Sequence, residues 1–384
     1  MDAVVRLLSE LVAIPSVNPM GRPPSGDIYL EGRLTDFLER WLGDRGITCR
    51  REVVSPGREN LLARYEAPGA SRTILFDVHQ DTVPVDGMTI PPFEPTIAGG
   101  RLHGRGSCDV KGSMAAMLAA FDRLVRERPT GSASVILACT VDEEYTHTGS
   151  SRLATSRHGA DLAIVAEPTR LDLVTCHKGA LRWKVRSHGV ACHSSTPHLG
   201  ANAIYRMAHA LLALEGYAET LSRSHPHPML GPPSLSVGRI EGGLTANIVP
   251  DRCEIEIDRR LLPGEDASDC IEEVRVLLDR IPGGAEAIEF GEPWVHMPAL
   301  APRAEAWIAP LSIAIEEATG RHPEIRGVPF GTDAGPLAEA GTPCVVLGPG
   351  DIAQAHTKDE WIEIEQVQLA AEMYYRIARD LGRA

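Results

Sequence analysis

The 384 residues carry 38 Lys+Arg against 52 Asp+Glu, a formal net charge of −14, with 43% hydrophobic and 23% charged residues. That length suits two cores better than one, the composition is that of an ordinary folded protein, and a negative chain with no long basic block excludes nucleic acid and anionic membrane as partners. No stretch approaches the ~18 continuous apolar residues of a spanning helix, Met1 to Pro15 lacks the pattern of a secretory signal, and scattered cysteines with no C-x-x-C pair read as reduced thiols, so the expected compartment is cytoplasmic.

Asp2 to Val12 repeats apolar residues at helical spacing, Pro15 to Gly26 reads as a loop, and Leu30 to Trp41 as a second helix. Thr73 to Val78 is a short apolar run that leads into His79 and Asp81. Val110 to Arg128 places Met114, Met117, Leu118, Phe121, Leu124 and Val125 on one helical face. Ser134 to Val141 is a second apolar run, ending at Asp142, Glu143 and Glu144; Leu162 to Ala166 is a third, ending at Glu167; Thr342 to Leu347 is a fourth, leading towards His356. Apolar runs separated by amphipathic helices predict an α/β fold with a mostly parallel sheet flanked by helices. Ligands of such sheets bind outside the carboxyl ends of the strands, where these imidazoles and carboxylates would converge.

The middle of the chain has a different texture. Ala180 to Ser187 alternates, Asn202 to Leu214 reads as a helix, Ser234 to Ile240 and Ala246 to Arg260 as strands, Ala267 to Ile281 as a helix and Glu286 to Phe290 as a strand. The order β-α-β-β-α-β predicts an inserted ferredoxin-like α+β domain over 180–293, with 1–179 and 294–384 forming the catalytic domain.

His79, Asp109, Glu144, Glu167 and His356 are the candidate metal ligands, since imidazole plus carboxylate is a donor set that zinc accepts. In H-Q-D, Asp81 lies two residues from His79 on one side of an extended segment, where its carboxylate is able to accept the second ring N–H. Asp109 sits in G-R-G-S-C-D-V-K-G, which lacks the spacing of a phosphate loop. Glu143 and Glu144 are adjacent, so one is free to bind metal while the other serves as general base. Plainer alternatives stay open for each: a satisfied strand-end histidine, a helix-capping Asp109, a solvated acidic turn and a surface His356.

Taken in order, H-x-D, G-R-G-x-x-D-x-K-G, E-E, E-P and a C-terminal H-T-x-D-E make a chain that resembles the di-zinc family of acetylornithine deacetylase, succinyl-diaminopimelate desuccinylase, aminoacylase and glutamate carboxypeptidase. The resemblance implies two Zn²⁺ ions, with Co²⁺ or Mn²⁺ as substitutes: His79 and Glu167 on one, Glu144 and His356 on the other, Asp109 bridging. It implies Glu143 as general base, Asp81 as the partner of His79, and a hydroxide bridging the zincs, which neutralises the charge left by three ligand carboxylates. In G-V-A-C-H-S-S-T-P-H it implies His193 as a donor to the tetrahedral oxyanion, often supplied by a partner subunit of a homodimer. Asn247, Arg260, Gly331 and Thr332, with Asp333 in the same loop, match substrate-side positions; Arg260 suits bidentate carboxylate recognition, against the alternative of a strand-edge salt bridge. Cys108 departs from the small residue usual before the bridging Asp, and its side chain is expected to point away from Asp109.

The implied activity is hydrolysis of the amide of an N-acyl amino acid, in amino-acid metabolism. A metallo-exopeptidase acting on short peptides is the alternative bond for the same centre, and a catalytically silent binding paralogue is the alternative from another class. A silent paralogue should have lost a ligand or Glu143, and none is lost.

Overall fold

The computed structural model describes residues 2–156, 158–224 and 226–382. The chain forms two compact units: Met1–Thr175 with Pro302–Gly327 and Thr332–Ala384, and Cys176–Ala301 with Val328–Gly331.

In the first unit the apolar runs become strands Thr73–His79, Ser134–Thr140, Leu162–Val165 and Cys344–Val346, parallel neighbours in an eight-stranded sheet. Every residue of Ser134–Thr140 and Leu162–Val165 is buried, as a strand covered on both faces requires. Helices Ala3–Val12, Gly112–Glu127, Glu305–Thr319 and Ile364–Asp380 pack together around a core containing Leu8, Leu11, Met117, Phe121, Phe76 and Tyr374. The sheet continues beyond the parallel centre through an antiparallel hairpin, Cys49–Ser55 and Arg58–Tyr65, which the sequence reading did not foresee. Leu173–His177 and Ile325–Val328, likewise unforeseen, extend the opposite edge.

In the second unit, strands Gly179–His188, Ser234–Gly242, Arg252–Leu261 and Ile288–Phe290 lie in the spatial order second, third, first, fourth, all antiparallel. Helices Ala203–Ser222 and Ala267–Asp279 supply the α parts of the β-α-β-β-α-β order, capped by Asn202 and Asp266. This is the ferredoxin-like arrangement. Three elements differ most in extent from expectation: the first helix runs on to Ser222, the strand expected from Ala246 begins at Arg252 because Asn247 to Pro250 form a turn and loop, and the strand expected from Glu286 begins at Ile288, after the helical turn Gly284–Ala287. Trp183, Ile255, Ile257, Met207 and Val274 form this unit's own core.

Candidate metal centre

Three of the parallel strands deliver functional side chains at their carboxyl ends. His79 closes its strand, Glu143 and Glu144 follow Thr140, and Glu167 follows Val165. Asp109 enters from the irregular helical turn Ser107–Lys111, where the Asp109–Val110 peptide is cis. His356 arrives from the loop after Cys344–Val346, at a φ of 60°, a left-handed conformation that non-glycine residues adopt at a cost and that clusters at functional sites.

These groups form two triads that share one residue. His79, Asp109 and Glu167 place ligand atoms within 4.8 Å of one another, as do Asp109, Glu144 and His356. Asp109 Oδ1 lies 3.2 Å from His79 Nε2, while Oδ2 lies 3.2 Å from His356 Nε2, which is 3.1 Å from Glu144 Oε2. The shared carboxylate thus presents one oxygen to each triad. Glu143 belongs to neither.

The electrostatics call for cations. Burial pushes the carboxyls of Glu143 and Glu167 well above the ordinary range, with the charge of Glu167 adding to the first and that of Asp109 to the second. Glu144 is raised by burial and then by Asp109. Burial alone would depress the His79 imidazole, but the Asp109 hydrogen bond and the charges of Glu143, Asp109 and Asp81 raise it well above its usual value. Hydrogen bonds to Asp109 and Glu144 carry His356 up to about 11. Asp109 is held low against its burial by hydrogen bonds from His356 and His79. Carboxylates this deeply buried and this close together need positive charge beside them, which divalent ions would supply. Among the described residues, the buried Oε1 of Glu144 has no hydrogen-bond partner, a vacant ligand atom on a residue of the second triad. Two borderline cations fit this donor set.

The geometry corrects one expectation. The second ring nitrogen of His79 faces the main-chain carbonyl of Asp81 at 2.9 Å, while the Asp81 carboxylate stands 3.8 Å away. That carboxylate instead accepts the backbone N–H groups of Glu143 and Glu144, both at 3.1 Å, and the Asn18 amide at 2.8 Å. The reason is one of donors: two backbone N–H groups and an amide satisfy a buried carboxylate better than one imidazole. Asp81 therefore fixes the turn that presents Glu143 and Glu144.

Glu360 was not singled out in the sequence, where it ends the run T-K-D-E and resembles solvated charge. It is fully buried and accepts from Arg105 Nη1 (2.7 Å) and from the backbone N–H groups of Gly106 (2.9 Å), Cys108 (2.8 Å) and Asp109 (3.0 Å). Lys111, also buried, donates to the carbonyls of Leu11 (3.1 Å) and Ile14 (2.6 Å), tying the same turn to the end of the N-terminal helix. Cys108 points to the Asp351 carbonyl at 3.4 Å and lies outside both triads; burial, then the charges of Glu360 and Asp109, push its thiol well up. A buried thiol of that kind is inert.

His193, Asn247, Arg260 and Gly331 belong to the second unit, whereas Thr332 belongs to the first. The structure brings His193 and Asn247 together: His193 bridges to Ile248, and Ser194 N–H donates to the Asn247 carbonyl at 3.1 Å. The exposed His193 accepts the Ser195 N–H on Nδ1 at 3.1 Å, which leaves its Nε2 as the N–H donor. Asn247 Oδ1 accepts the Thr245 hydroxyl at 3.0 Å, leaving the amide N–H groups for a ligand. Arg260 is paired with Asp258 two residues along its strand, at 2.7 and 3.3 Å, so the strand-edge ion pair left open by the sequence is present. A Cβ on Gly331 would meet Met297 Cε at 1.7 Å, and the buried Thr332 spends its hydroxyl accepting the Ala334 N–H at 3.1 Å.

Residues 75–380 match the model of a family described as peptidase family M20/M25/M40. An acetylornithine deacetylase of Myxococcus xanthus is 33% identical over 382 residues, covering 96% of this chain and 94% of that protein. One from Edwardsiella ictaluri is 34% identical over 379 residues, covering 95% and 94%. Among solved structures, a metallo-carboxypeptidase of Sulfolobus solfataricus superposes with a TM-score of 0.79 at 20% identity over 99% of each chain. A dinuclear metal-binding peptidase of Bacillus subtilis gives 0.71 at 16% identity over 99% of this chain and 97% of its own. At those identities the two structures bear on the fold.

Proposed function

The chain belongs to peptidase family M20/M25/M40 and is a metal-dependent amidohydrolase, and from that premise we propose that it removes the acyl group from an N-acyl amino acid of the acetylornithine kind. The observation that carries the reading is the pair of triads sharing Asp109, with the buried Glu143 beside them and outside both. Full-length similarity to proteins named acetylornithine deacetylase favours deacylation over peptide cleavage.

His79, Asp109 and Glu167 would hold one ion and Asp109, Glu144 and His356 the other, zinc being the occupant we propose, with cobalt or manganese as substitutes. Ions bound there supply Lewis acidity for the scissile carbonyl and make water acidic enough to attack near neutral pH. Glu143 takes the proton of the attacking water on its carboxylate and returns it to the leaving amine nitrogen, so acyl acid and free amine leave with no net proton gained by the protein. Asp81, through the backbone of Glu143 and Glu144, holds the base and its neighbouring ligand in register.

His193 donates its Nε2–H to the oxyanion, and the Asn247 amide serves beside it. Arg260, released from Asp258 or sharing it, receives the substrate carboxylate, with the Gly331–Thr332 loop on the substrate side. We propose a homodimer built through the second unit. Its support is the edge strand Ser234–Gly242, open on one side, together with exposed Tyr205, Leu212, Ile240, Ile248 and Leu244, the last 91% exposed. A cytoplasmic location accords with the eight free thiols; among the described residues no helix is long and apolar enough to cross a membrane.

The test is metal content of the purified protein together with hydrolysis of N-acetyl-L-ornithine, other N-acyl amino acids and dipeptides. About two zinc equivalents with N-acyl cleavage is the expected result. Dipeptide cleavage alone would replace the substrate reading, and no activity after zinc or cobalt is added would remove the deacylase reading.

A further inference from the structure

The Glu143 carboxylate has a second neighbour that the reaction as described does not use. His147 Nδ1 lies 3.7 Å from Glu143 Oε1 and 3.1 Å from Asp333 Oδ1. All three residues are buried, and all three belong to the first unit. Asp333 is fixed by two hydroxyls, Ser150 Oγ on Oδ1 at 2.6 Å and Thr140 Oγ1 on Oδ2 at 3.1 Å. His147 is held by its backbone: its N–H donates to the Asp142 carbonyl at 2.7 Å, and its own carbonyl accepts from the Ser151 N–H at 3.0 Å. Its φ of 55° is the left-handed conformation, disfavoured for a residue with a Cβ. The backbone at Glu143 is anchored on Asp81. Among the described residues, though, the Glu143 carboxylate makes no hydrogen bond, and His147 Nδ1 stands 3.7 Å from it.

From this geometry we infer that His147, braced by Asp333, is the positioning residue for Glu143. The inference rests on Glu143 being the general base. Asp333 accepts the Nδ1–H and so fixes the ring tautomer and plane, as a carboxylate behind an imidazole does. The same N–H edge faces Glu143 Oε1 at 3.7 Å, beyond hydrogen-bond length as it stands, and the inference is that the glutamate side chain rotates to share this N–H with Asp333. Oε1 is thereby tethered and Oε2 is left to handle the proton of the attacking water. A base without such a tether samples several rotamers, and loss of position lowers turnover while ground-state substrate binding is kept.

Four metal-loaded full-length proteins test this with N-acetyl-L-ornithine, or with the best N-acyl amino acid of the panel: His147→Leu, His147→Asn, Glu143→Ala and the double variant His147→Leu/Glu143→Ala. The side-chain amide of asparagine puts an N–H close to where Nδ1 stood. His147→Leu should lower kcat roughly 10- to 100-fold, the range for partners that orient a working group, with KM and metal content held. His147→Asn should recover most of that loss, and the double variant should be no slower than Glu143→Ala alone. In crystals of His147→Leu the Glu143 carboxylate should leave its position, a readout independent of turnover. Wild-type kcat in His147→Leu alongside an inactive Glu143→Ala would overturn the inference, as would additive losses in the double variant or an unmoved Glu143. Should Glu143→Ala remain active, the reading of Glu143 as base falls instead, which keeps the two failures apart. If His147→Leu does not fold, Asp333→Asn preserves volume while removing the charge behind the imidazole. It should lower kcat roughly 10-fold with metal retained, and unchanged kcat there would also overturn the inference.

Discussion

Glu360→Gln is the substitution whose consequences follow most directly from the structure. The wild-type carboxylate accepts four hydrogen bonds, two on each oxygen: Arg105 and Gly106 on Oε2, Cys108 and Asp109 on Oε1. Glutamine keeps one accepting oxygen and turns an NH₂ group towards the other pair, so two bonds are lost and two buried donors face a donor. A hydrogen bond to a charged group contributes about 1.5–3 kcal/mol, which puts the loss at about 3–6 kcal/mol. Against a typical total of roughly 5–15 kcal/mol this is severe but survivable. At roughly 2–4 °C per kcal/mol for a unit of this size, the melting temperature should fall by about 10 °C. Because the Asp109 N–H is one of the four donors, the variant should also release its metal at chelator concentrations that the wild type tolerates. Calorimetry of the metal-loaded and stripped proteins, with metal analysis across a chelator series, measures both effects. A melting temperature within about 2 °C of wild type and an unchanged chelator curve would refute the reasoning, since about 3 kcal/mol must appear somewhere.

Glu143→Ala should keep both metals and lose turnover by about 10²–10⁴-fold; loss of metal in parallel would make Glu143 a ligand. His193→Ala should depress kcat by roughly 10²–10³-fold at constant metal content, and unchanged kinetics would remove it from the oxyanion role. Burial pushes the Lys111 ammonium down to about 7. Between there and its ordinary value of ~10.4 the unfolded chain holds the extra proton, so this group makes stability rise with pH across that window. Lys111→Met should abolish the rise, and urea titrations at about pH 7.5 and about pH 9.5 should show the wild type gaining about 2–3 kcal/mol on the variant. Parallel curves would mean that Lys111 stays charged on its two carbonyls. Stripping the ions should lower the melting temperature of the wild type, by the equivalent of about 2.7 kcal/mol if they were present at about 100 times their dissociation constant.

What could be read from the sequence divides along a physical line. His79, Glu144 and Glu167 were legible because each follows a run too apolar to be anything but a buried strand, where a carboxylate or imidazole needs a reason to be. The ferredoxin-like order was legible for the same reason, its periodicities being local. Glu360 was opaque because its four donors lie more than 250 residues away, and the charged run before it masks the short strand Trp361–Glu363 that follows. The contact of His147 with Asp333 spans 186 residues and leaves no spacing to detect. The hairpin Cys49–Ser55 and Arg58–Tyr65 escaped notice because Arg50, Arg51, Glu52, Arg58 and Glu59 break its alternation, and several of these charges pair with neighbouring elements instead of facing water. Arg260 and Asp258 were within reach, since residues two apart share a strand face, and the ion pair between them was the plainer of the two options.

Asp109 imposes an asymmetry on how this protein tolerates change. Glu167 belongs to one triad and Glu144 to the other, so loss of either leaves the other triad whole. Loss of Asp109 takes a ligand from both triads at once, with no intermediate genotype that retains a whole site. Drift can therefore erode this centre from its edges in small steps, but through its middle only in a single leap.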